Sequence, residues 1–114
     1  MKIMIASDIH GSEKWARRLA EEYRKSGARR LVLLGDILYH GPRNDLTEGH
    51  NPKAVIEILN TLKDEIVCVR GNCDAEVDQM VLDFPIMSDK ARMSIEGGHK
   101  MYFTHGHIYS VDNF

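Results

Sequence analysis

Four short polar stretches of the sequence contain the residues best suited to bind a metal ion. They are SDIHG (7–11), GDILYHGPRN (35–44), GNCD (71–74) and THGH (104–107). Their candidate ligands are Asp8, His10, Asp36, Asn72, His105 and His107. These side chains offer carboxylate, imidazole and amide atoms, a mixture that favours manganese, iron or zinc over calcium or a structural zinc.

The first three polar stretches follow apolar runs that are typical of buried strands. The runs are KIMIA (2–6), RLVLL (30–34) and EIVCV (65–69). Nearly continuous apolar sequence is expected of parallel strands that are covered on both faces. Ligands of an open parallel sheet bind beyond the carboxyl ends of its strands, so we expect the polar stretches to meet at one edge.

Two helical patterns separate these strands. The first begins after Ser12 as N-cap and ends at Gly27, and the second begins after Asn51 with Pro52 at its first position. The apolar face of the first helix is predicted to contain Trp15, Ala16, Leu19, Ala20 and Tyr23, and that of the second Val55, Ile58, Leu59 and Leu62.

The sequence predicts an α/β fold made of a βαβαβ parallel sheet followed by a β-hairpin. Residues 91–96 and 99–104 form the two hairpin strands, joined by the two-residue turn Gly97-Gly98. Because the sequence has no linker, low-complexity tract or internal repeat, we expect residues 1–114 to form a single domain.

Each polar stretch has a plain alternative when it is considered alone. Asp8 could be a turn former, the Asp of "GD" is common after strands, and "HGH" could be a solvated turn. In Asp8-x-His10, however, residues i and i+2 of an extended segment point the same way. The four stretches together favour a metal centre, with Asp36 as the natural bridge between two metals roughly 3.5–4 Å apart.

In combination, DIH, GD, GNCD and THGH resemble successive motifs of the calcineurin-like metallophosphoesterase superfamily. Cys73 is similar to the cysteine that some small bacterial phosphodiesterases carry where most members have histidine. The resemblance covers residues 1 to about 109. It implies that the fold is the N-terminal part of a four-layer αββα sandwich.

The resemblance also implies an enzyme that hydrolyses small phosphodiesters through attack by a metal-bridging hydroxide. Asp8, His10 and Asp36 would hold the first metal, and Asp36, Asn72 and His105 the second. The two ions would be divalent transition metals, manganese first, with iron, zinc or nickel as alternatives.

The roles of the remaining candidates are more open. Cys73 is interpreted as a neutral occupant near the substrate, with a weak catalytic assistant or a metal ligand as alternatives, and Asp74 as the residue that orients its loop. The candidates for contact with metal or substrate are His40, Arg43 and His107. The alternative is that these residues lie in solvated loops. A covalent thiol mechanism is disfavoured because His10 and His105 are already assigned to metal.

The superfamily pattern ends in Gly-His-x-His, whereas Tyr109 follows "GHI" here. We therefore expect an incomplete domain, and a catalytically impaired metal- or phosphate-binding module is the alternative function. Exposed strand edges would favour a homo-oligomer.

Composition narrows the partners and the compartment of the protein. Because the net charge is −2, no overall positive field would attract nucleic acid, and we predict no nucleic-acid partner. No apolar run is long enough to predict a membrane segment. The two cysteines suit neither a disulfide framework nor a CxxC pair, which favours the cytoplasm.

Overall fold

The computed structural model describes residues 2–41 and 45–108 of the chain. The elements in chain order are β1 (Ile3–Ala6), α1 (Glu13–Ser26), β2 (Arg30–Leu33), α2 (Pro52–Asn60), β3 (Ile66–Cys68), α3 (Glu76–Gln79), β4 (Lys90–Ser94) and β5 (Lys100–Thr104). Strands β1, β2 and β3 pair in parallel in that order, and β4 and β5 form a separate antiparallel pair. The predicted βαβαβ sheet followed by a hairpin is confirmed.

The central strand β2 separates two apolar clusters. Leu31 and Leu33 lie in a cluster with buried residues of α1 and α2, whereas Val32 packs with Val69 and Phe103. Successive side chains of a strand point to opposite faces, so the alternation of these three residues places the helices on one face of the sheet and the hairpin on the other. The layers are therefore helix, parallel sheet and hairpin.

Both long helices begin at the predicted caps. The Ser12 hydroxyl accepts a hydrogen bond from the Trp15 amide at 3.2 Å, and the Asn51 side chain accepts one from the Ala54 amide at 3.3 Å. Helix α1 ends at Gly27, whose φ of 74° is the left-handed conformation common at helix ends. These caps fix where both helices begin and where α1 ends.

The buried face of α1 differs from the prediction at Trp15. This residue is 53% exposed, whereas Ala16, Ala20 and Tyr23 are buried. Residues spaced by four, then three, positions stay on one face of a helix with 3.6 residues per turn, but a constant spacing of four drifts around it. The helix therefore buries the stripe that begins at Ala16.

The hairpin turn is longer than predicted. Strand pairing ends with Ser94 opposite Lys100, and the Ile95 amide donates to the His99 carbonyl at 2.8 Å. A short 3-10 turn over Glu96–Gly98 lies between, in which both glycines have positive φ. The predicted two-residue turn was wrong because the register needs three residues to reverse the chain.

Among the described residues, no helix is long and apolar enough to cross a membrane.

Candidate metal centre

Main-chain hydrogen bonds join the first two polar loops at the carboxyl edge of the sheet. The Asp8 amide donates to the Gly35 carbonyl at 3.0 Å, and the His10 amide donates to the Asp36 carbonyl at 2.9 Å. One residue further on, the Gly11 amide donates to the Ile37 carbonyl at 2.8 Å. These bonds extend the pairing of β1 with β2 beyond the strands and hold Asp8 and His10 beside Asp36.

Three candidate ligands of these loops have left-handed backbone conformations. Asp8 has a φ of 61°, His10 of 50° and Asp36 of 55°. The assumption of an extended Asp8–His10 segment was therefore wrong, although the two side chains do converge. Left-handed backbone is costly for residues other than glycine and persists where surrounding contacts enforce it, often at functional sites.

The candidate side chains form a connected cluster around Asp36. His10 Nε2 lies 3.1 Å from Asp8 Oδ1 and 3.6 Å from Asp36 Oδ2. On the other side, His105 Nε2 lies 3.4 Å from Asp36 Oδ2 and 3.0 Å from Asn72 Oδ1. Asp36 thus lies between an Asp8–His10 pair and an Asn72–His105 pair.

Each imidazole ring is oriented by a hydrogen bond from Nδ1, the ring nitrogen that faces away from the cluster. His10 Nδ1 donates to the Tyr39 carbonyl at 2.8 Å, and His105 Nδ1 donates to the Leu34 carbonyl at 2.6 Å. A carbonyl can only accept, so in a neutral ring the Nε2 atom carries the lone pair. Hydrogen bonding of this kind usually fixes the tautomer of metal-binding histidines.

Asp74 connects the loops that follow β2 and β3. Its buried carboxylate accepts hydrogen bonds from the main-chain amides of Asp36 at 2.8 Å, Ile37 at 2.9 Å and Gly71 at 2.7 Å. The Cys73 amide in turn donates to Asp36 Oδ1 at 2.8 Å. Asp36 is thereby held from both its main chain and its side chain.

Two glycines allow these loops to touch. A Cβ atom at Gly71 would lie 2.2 Å from Asp36 Oδ1, and one at Gly35 would lie 2.2 Å from the Gly71 amide nitrogen. Any larger residue at either position would push the loops apart. The sequence signal was the glycine that precedes each of the ligand candidates Asp36 and Asn72, which our sequence reasoning did not interpret.

The two carboxylates of the cluster differ in acidity. Burial raises the pKa of Asp36 above its ordinary value, and the neighbouring Asp8 adds to this effect. Burial also opposes ionisation of Asp8, but hydrogen bonds with Ser7 and Asp36 and the nearby His105 outweigh it and lower the pKa of Asp8. A buried carboxylate beside a second carboxylate is costly without a cation, so the donor set fits a divalent metal.

Two groups of three residues each offer three possible ligand atoms, one per residue, that lie within 4.8 Å of one another. One group contains Asp8, Asp36 and His105, and the other contains His10, Asp36 and Cys73. Burial, followed by the charges of Asp36 and Asp74, raises the pKa of the Cys73 thiol. A raised pKa makes the thiolate less available, which disfavours a thiolate nucleophile.

The other sequence candidates lie at the margin or outside the described chain. The ring of His107 lies 5.3 Å from that of His105, and the ring of His40 lies 4.9 Å from that of Tyr39. Neither His40 nor His107 contributes to the two donor groups found among the described residues. Arg43 and Tyr109 lie outside the described residues.

The sequence matches the calcineurin-like phosphoesterase superfamily domain over residues 1–113. The chain belongs to this superfamily. Membership implies the use of divalent metal ions. The chain is 49% identical over 113 residues to phosphodiesterase YfcE of Escherichia coli strain K12, covering 99% of this chain and 61% of the relative. It therefore spans about three fifths of the length of this curated relative.

The solved structures that resemble this chain include the following two. That of YfcE, described as a phosphoesterase from E. coli, has a TM-score of 0.95 at 49% identity and covers 99% of this chain and 62% of its own. A predicted phosphoesterase from Streptococcus pneumoniae TIGR4 has a TM-score of 0.54 at 20% identity, covering 96% and 48%. The second likeness is one of fold alone. The first confirms that the α/β layers described above are those of this superfamily.

Proposed function

We propose that the protein is a metal-dependent phosphodiesterase. The observation that carries this proposal is the position of Asp36, whose Oδ2 lies 3.6 Å from His10 Nε2 and 3.4 Å from His105 Nε2. A carboxylate between two sets of donors suits a bridge between two metals, the arrangement used in many phosphoryl-transfer sites. Similarity to a protein named phosphodiesterase YfcE supports the same activity.

We assign Asp8, His10 and Asp36 to the first metal and Asp36, Asn72 and His105 to the second. Manganese is the proposed ion, with iron, zinc or nickel as alternatives, because oxygen and imidazole donors can bind each of these metals. When bound, the metals would supply a hydroxide for in-line attack on phosphorus and positive charge against the phosphate oxygens.

The chain's own residues have supporting tasks in this proposal. The carbonyls of Tyr39 and Leu34 keep the Nε2 atoms of the two histidines directed at the cluster. Asp74 keeps Asp36 in place through three amide bonds. Cys73 is a neutral neighbour of the reacting phosphate, and His40, Arg43 and His107 are candidates for substrate contact.

The proposed substrate is a small phosphodiester, and the proposed compartment is the cytoplasm. Both cysteines are free, which agrees with a reducing environment. We also propose a homo-oligomer, because the β4–β5 pair has unpaired strand edges within the described chain. Light scattering that gives the mass of a monomer would contradict this last proposal.

The test is hydrolysis of bis(p-nitrophenyl) phosphate with and without added Mn²⁺, together with metal content by elemental analysis. We expect Mn²⁺-dependent turnover in the wild type and a loss of at least about 100-fold in Asp36→Asn, because this change weakens both metal sites. Asp64→Asn, at an exposed position, is the matched control and should keep its activity. Bound metal without turnover would refute the enzyme and favour a binding module instead.

A further inference from the structure

The turn formed by His10 and Gly11 is held by the two ends of the segment that connects β2 with α2. At the start of this segment, the Asp36 carbonyl accepts a hydrogen bond from the His10 amide at 2.9 Å, and the Ile37 carbonyl accepts one from the Gly11 amide at 2.8 Å. At its end, the Asn51 amide donates to the Gly11 carbonyl at 2.8 Å. The fourth polar group of the turn, the His10 carbonyl, bonds to a side chain.

The side chain of Thr47 is the partner of the His10 carbonyl. Its hydroxyl donates to that carbonyl at 3.0 Å, and His50 Nδ1 lies 3.4 Å from the same hydroxyl oxygen. A hydroxyl has one hydrogen and a carbonyl can only accept, so in the contact with His50 the imidazole is the donor. A Cβ at Gly11 would lie 2.8 Å from His50 Cε1, so the glycine allows this ring to close over the turn. The Thr47 hydroxyl is therefore directed at His10.

Further hydrogen bonds tie the residues after Thr47 to the start of α1. Ser12 is fully buried, and its hydroxyl donates to the Glu48 carbonyl at 2.6 Å. The Glu13 amide donates to the Gly49 carbonyl at 2.8 Å. These bonds keep the Thr47 hydroxyl within reach of the His10 carbonyl.

His10 needs this support because its backbone is left-handed, with a φ of 50°. The conformation is unfavourable for a residue with a Cβ, and it persists where surrounding contacts enforce it. Without a partner for its carbonyl, the peptide after His10 would rotate towards a more common conformation, and the imidazole would move with it. The ring would then leave the position in which Nδ1 reaches the Tyr39 carbonyl at 2.8 Å and Nε2 lies 3.6 Å from Asp36 Oδ2.

We infer that the Thr47 hydroxyl is a positioning group for His10, and that the first proposed metal site depends on it. The inference rests on the proposed function, because it uses the assignment of His10 to that metal. The histidine of the second site, His105, is oriented separately, since its Nδ1 donates to the Leu34 carbonyl at 2.6 Å. Loss of the Thr47 hydroxyl should therefore affect one metal site and leave the other nearly unchanged.

Three variants separate this role from a general effect on stability. Thr47→Val removes the hydroxyl and keeps a side chain branched at Cβ, whereas Thr47→Ser keeps the hydroxyl and should restore wild-type behaviour. Thr61→Val is the matched control, because the Thr61 hydroxyl also donates to a main-chain carbonyl, that of Ile58 at 2.6 Å. Thr61 lies at the end of α2 that leads to the amino end of β3, away from the metal centre.

The first measurement is solvent exchange of the histidine ring N–H protons, followed by NMR on the metal-free chain. A ring N–H that is hydrogen-bonded to a carbonyl exchanges slowly, so the Nδ1 protons of His10 and His105 report how firmly each ring is held. In Thr47→Val the His10 proton should exchange about tenfold faster, and the His105 proton should keep its rate within about twofold. An unchanged His10 rate in Thr47→Val, or an equal increase in Thr47→Ser or Thr61→Val, would overturn the inference.

The second measurement is binding of buffered Zn²⁺ to the same variants, followed through the carbon-bound ring protons of the two histidines. His10 reports the first site and His105 the second, and no turnover is needed. Thr47→Val should weaken the binding reported by His10 by about tenfold, as is usual when the support of a ligand is lost, and that reported by His105 by less than about twofold. Equal weakening at both histidines, or at neither, would overturn the inference.

The two measurements distinguish failure of this inference from failure of the proposed function. If neither histidine responds to Zn²⁺ in the wild type, the metal assignment fails, and the exchange rates of the metal-free chain still decide whether Thr47 positions His10. If both histidines respond to Zn²⁺ but Thr47→Val changes neither measurement at His10, the metal assignment stands and the inference fails.

Discussion

Replacing Asp74 by asparagine tests whether one buried carboxylate holds the metal loops together. In the wild type its Oδ2 accepts from the amides of Asp36 and Gly71, and its Oδ1 accepts from Ile37. An asparagine keeps one oxygen, which can still serve Asp36 and Gly71. Its NH₂ group then faces the Ile37 amide, and two donors oppose each other.

The expected cost follows from these contacts. A hydrogen bond to a charged group contributes about 1.5–3 kcal/mol, and a buried donor left without an acceptor adds a penalty of similar size. We therefore expect Asp74→Asn to lower the free energy of unfolding by about 3 kcal/mol. For a domain of this length, that change lowers Tm by roughly 10 °C. Asp74→Ala removes all three bonds and should cost more.

The assay is urea unfolding of the wild type, Asp74→Asn and the exposed control Asp64→Asn, all free of metal. Titration with Mn²⁺ then measures how the same variants bind metal. Metal affinity should fall by about tenfold in Asp74→Asn because Asp36 loses its support. If Asp74→Asn unfolds within 0.5 kcal/mol of Asp64→Asn, the amide bonds do not stabilise the loops as argued.

Three further substitutions test other contacts. Gly71→Ala places a Cβ 2.2 Å from Asp36 Oδ1, so it should lower the free energy of unfolding by about 3 kcal/mol and weaken Mn²⁺ binding. Gly27→Ala is the control, because a Cβ there meets open space and metal binding should stay intact. The Tyr23 hydroxyl donates a hydrogen bond to the Glu65 carboxylate, and burial raises the pKa of Tyr23 from 10.0 to about 12. The stabilisation that the protonated hydroxyl gives the fold is therefore present below pH 10 and is lost as pH rises towards 12. Tyr23→Phe should cost about 1 kcal/mol at pH 8 and unfold in urea with a shallower alkaline decline; an unchanged decline would contradict the assignment. Cys73→Ser should change kcat for the aryl diester by less than about threefold, and a loss near 100-fold would instead indicate an acid–base role.

Local sequence patterns were sufficient for the five strands, the two long helices and their order, whereas the short helix α3 was not predicted. The caps at Ser12 and Asn51, and the apolar runs of the three strands, are short-range signals that the structure retains. The errors came where long-range packing decides, as at Trp15, whose ring is exposed because the helix buries the neighbouring Ala16 stripe. The turn after Ile95 was also wrong, since its length depends on the register between two strands.

In the candidate site, too, some features follow from the sequence and others depend on the tertiary structure. By itself, the sequence determined which side chains follow each strand and, through the parallel order of the strands, that Asp8, Asp36 and Asn72 share one edge. The tertiary structure alone decided the left-handed backbone at His10, the close approach of Gly35 to Gly71 and the three amide bonds of Asp74. These features depend on contacts between loops far apart in the chain. The glycines at 35 and 71 indicate that a close approach is possible, but residue types alone do not show which loops meet.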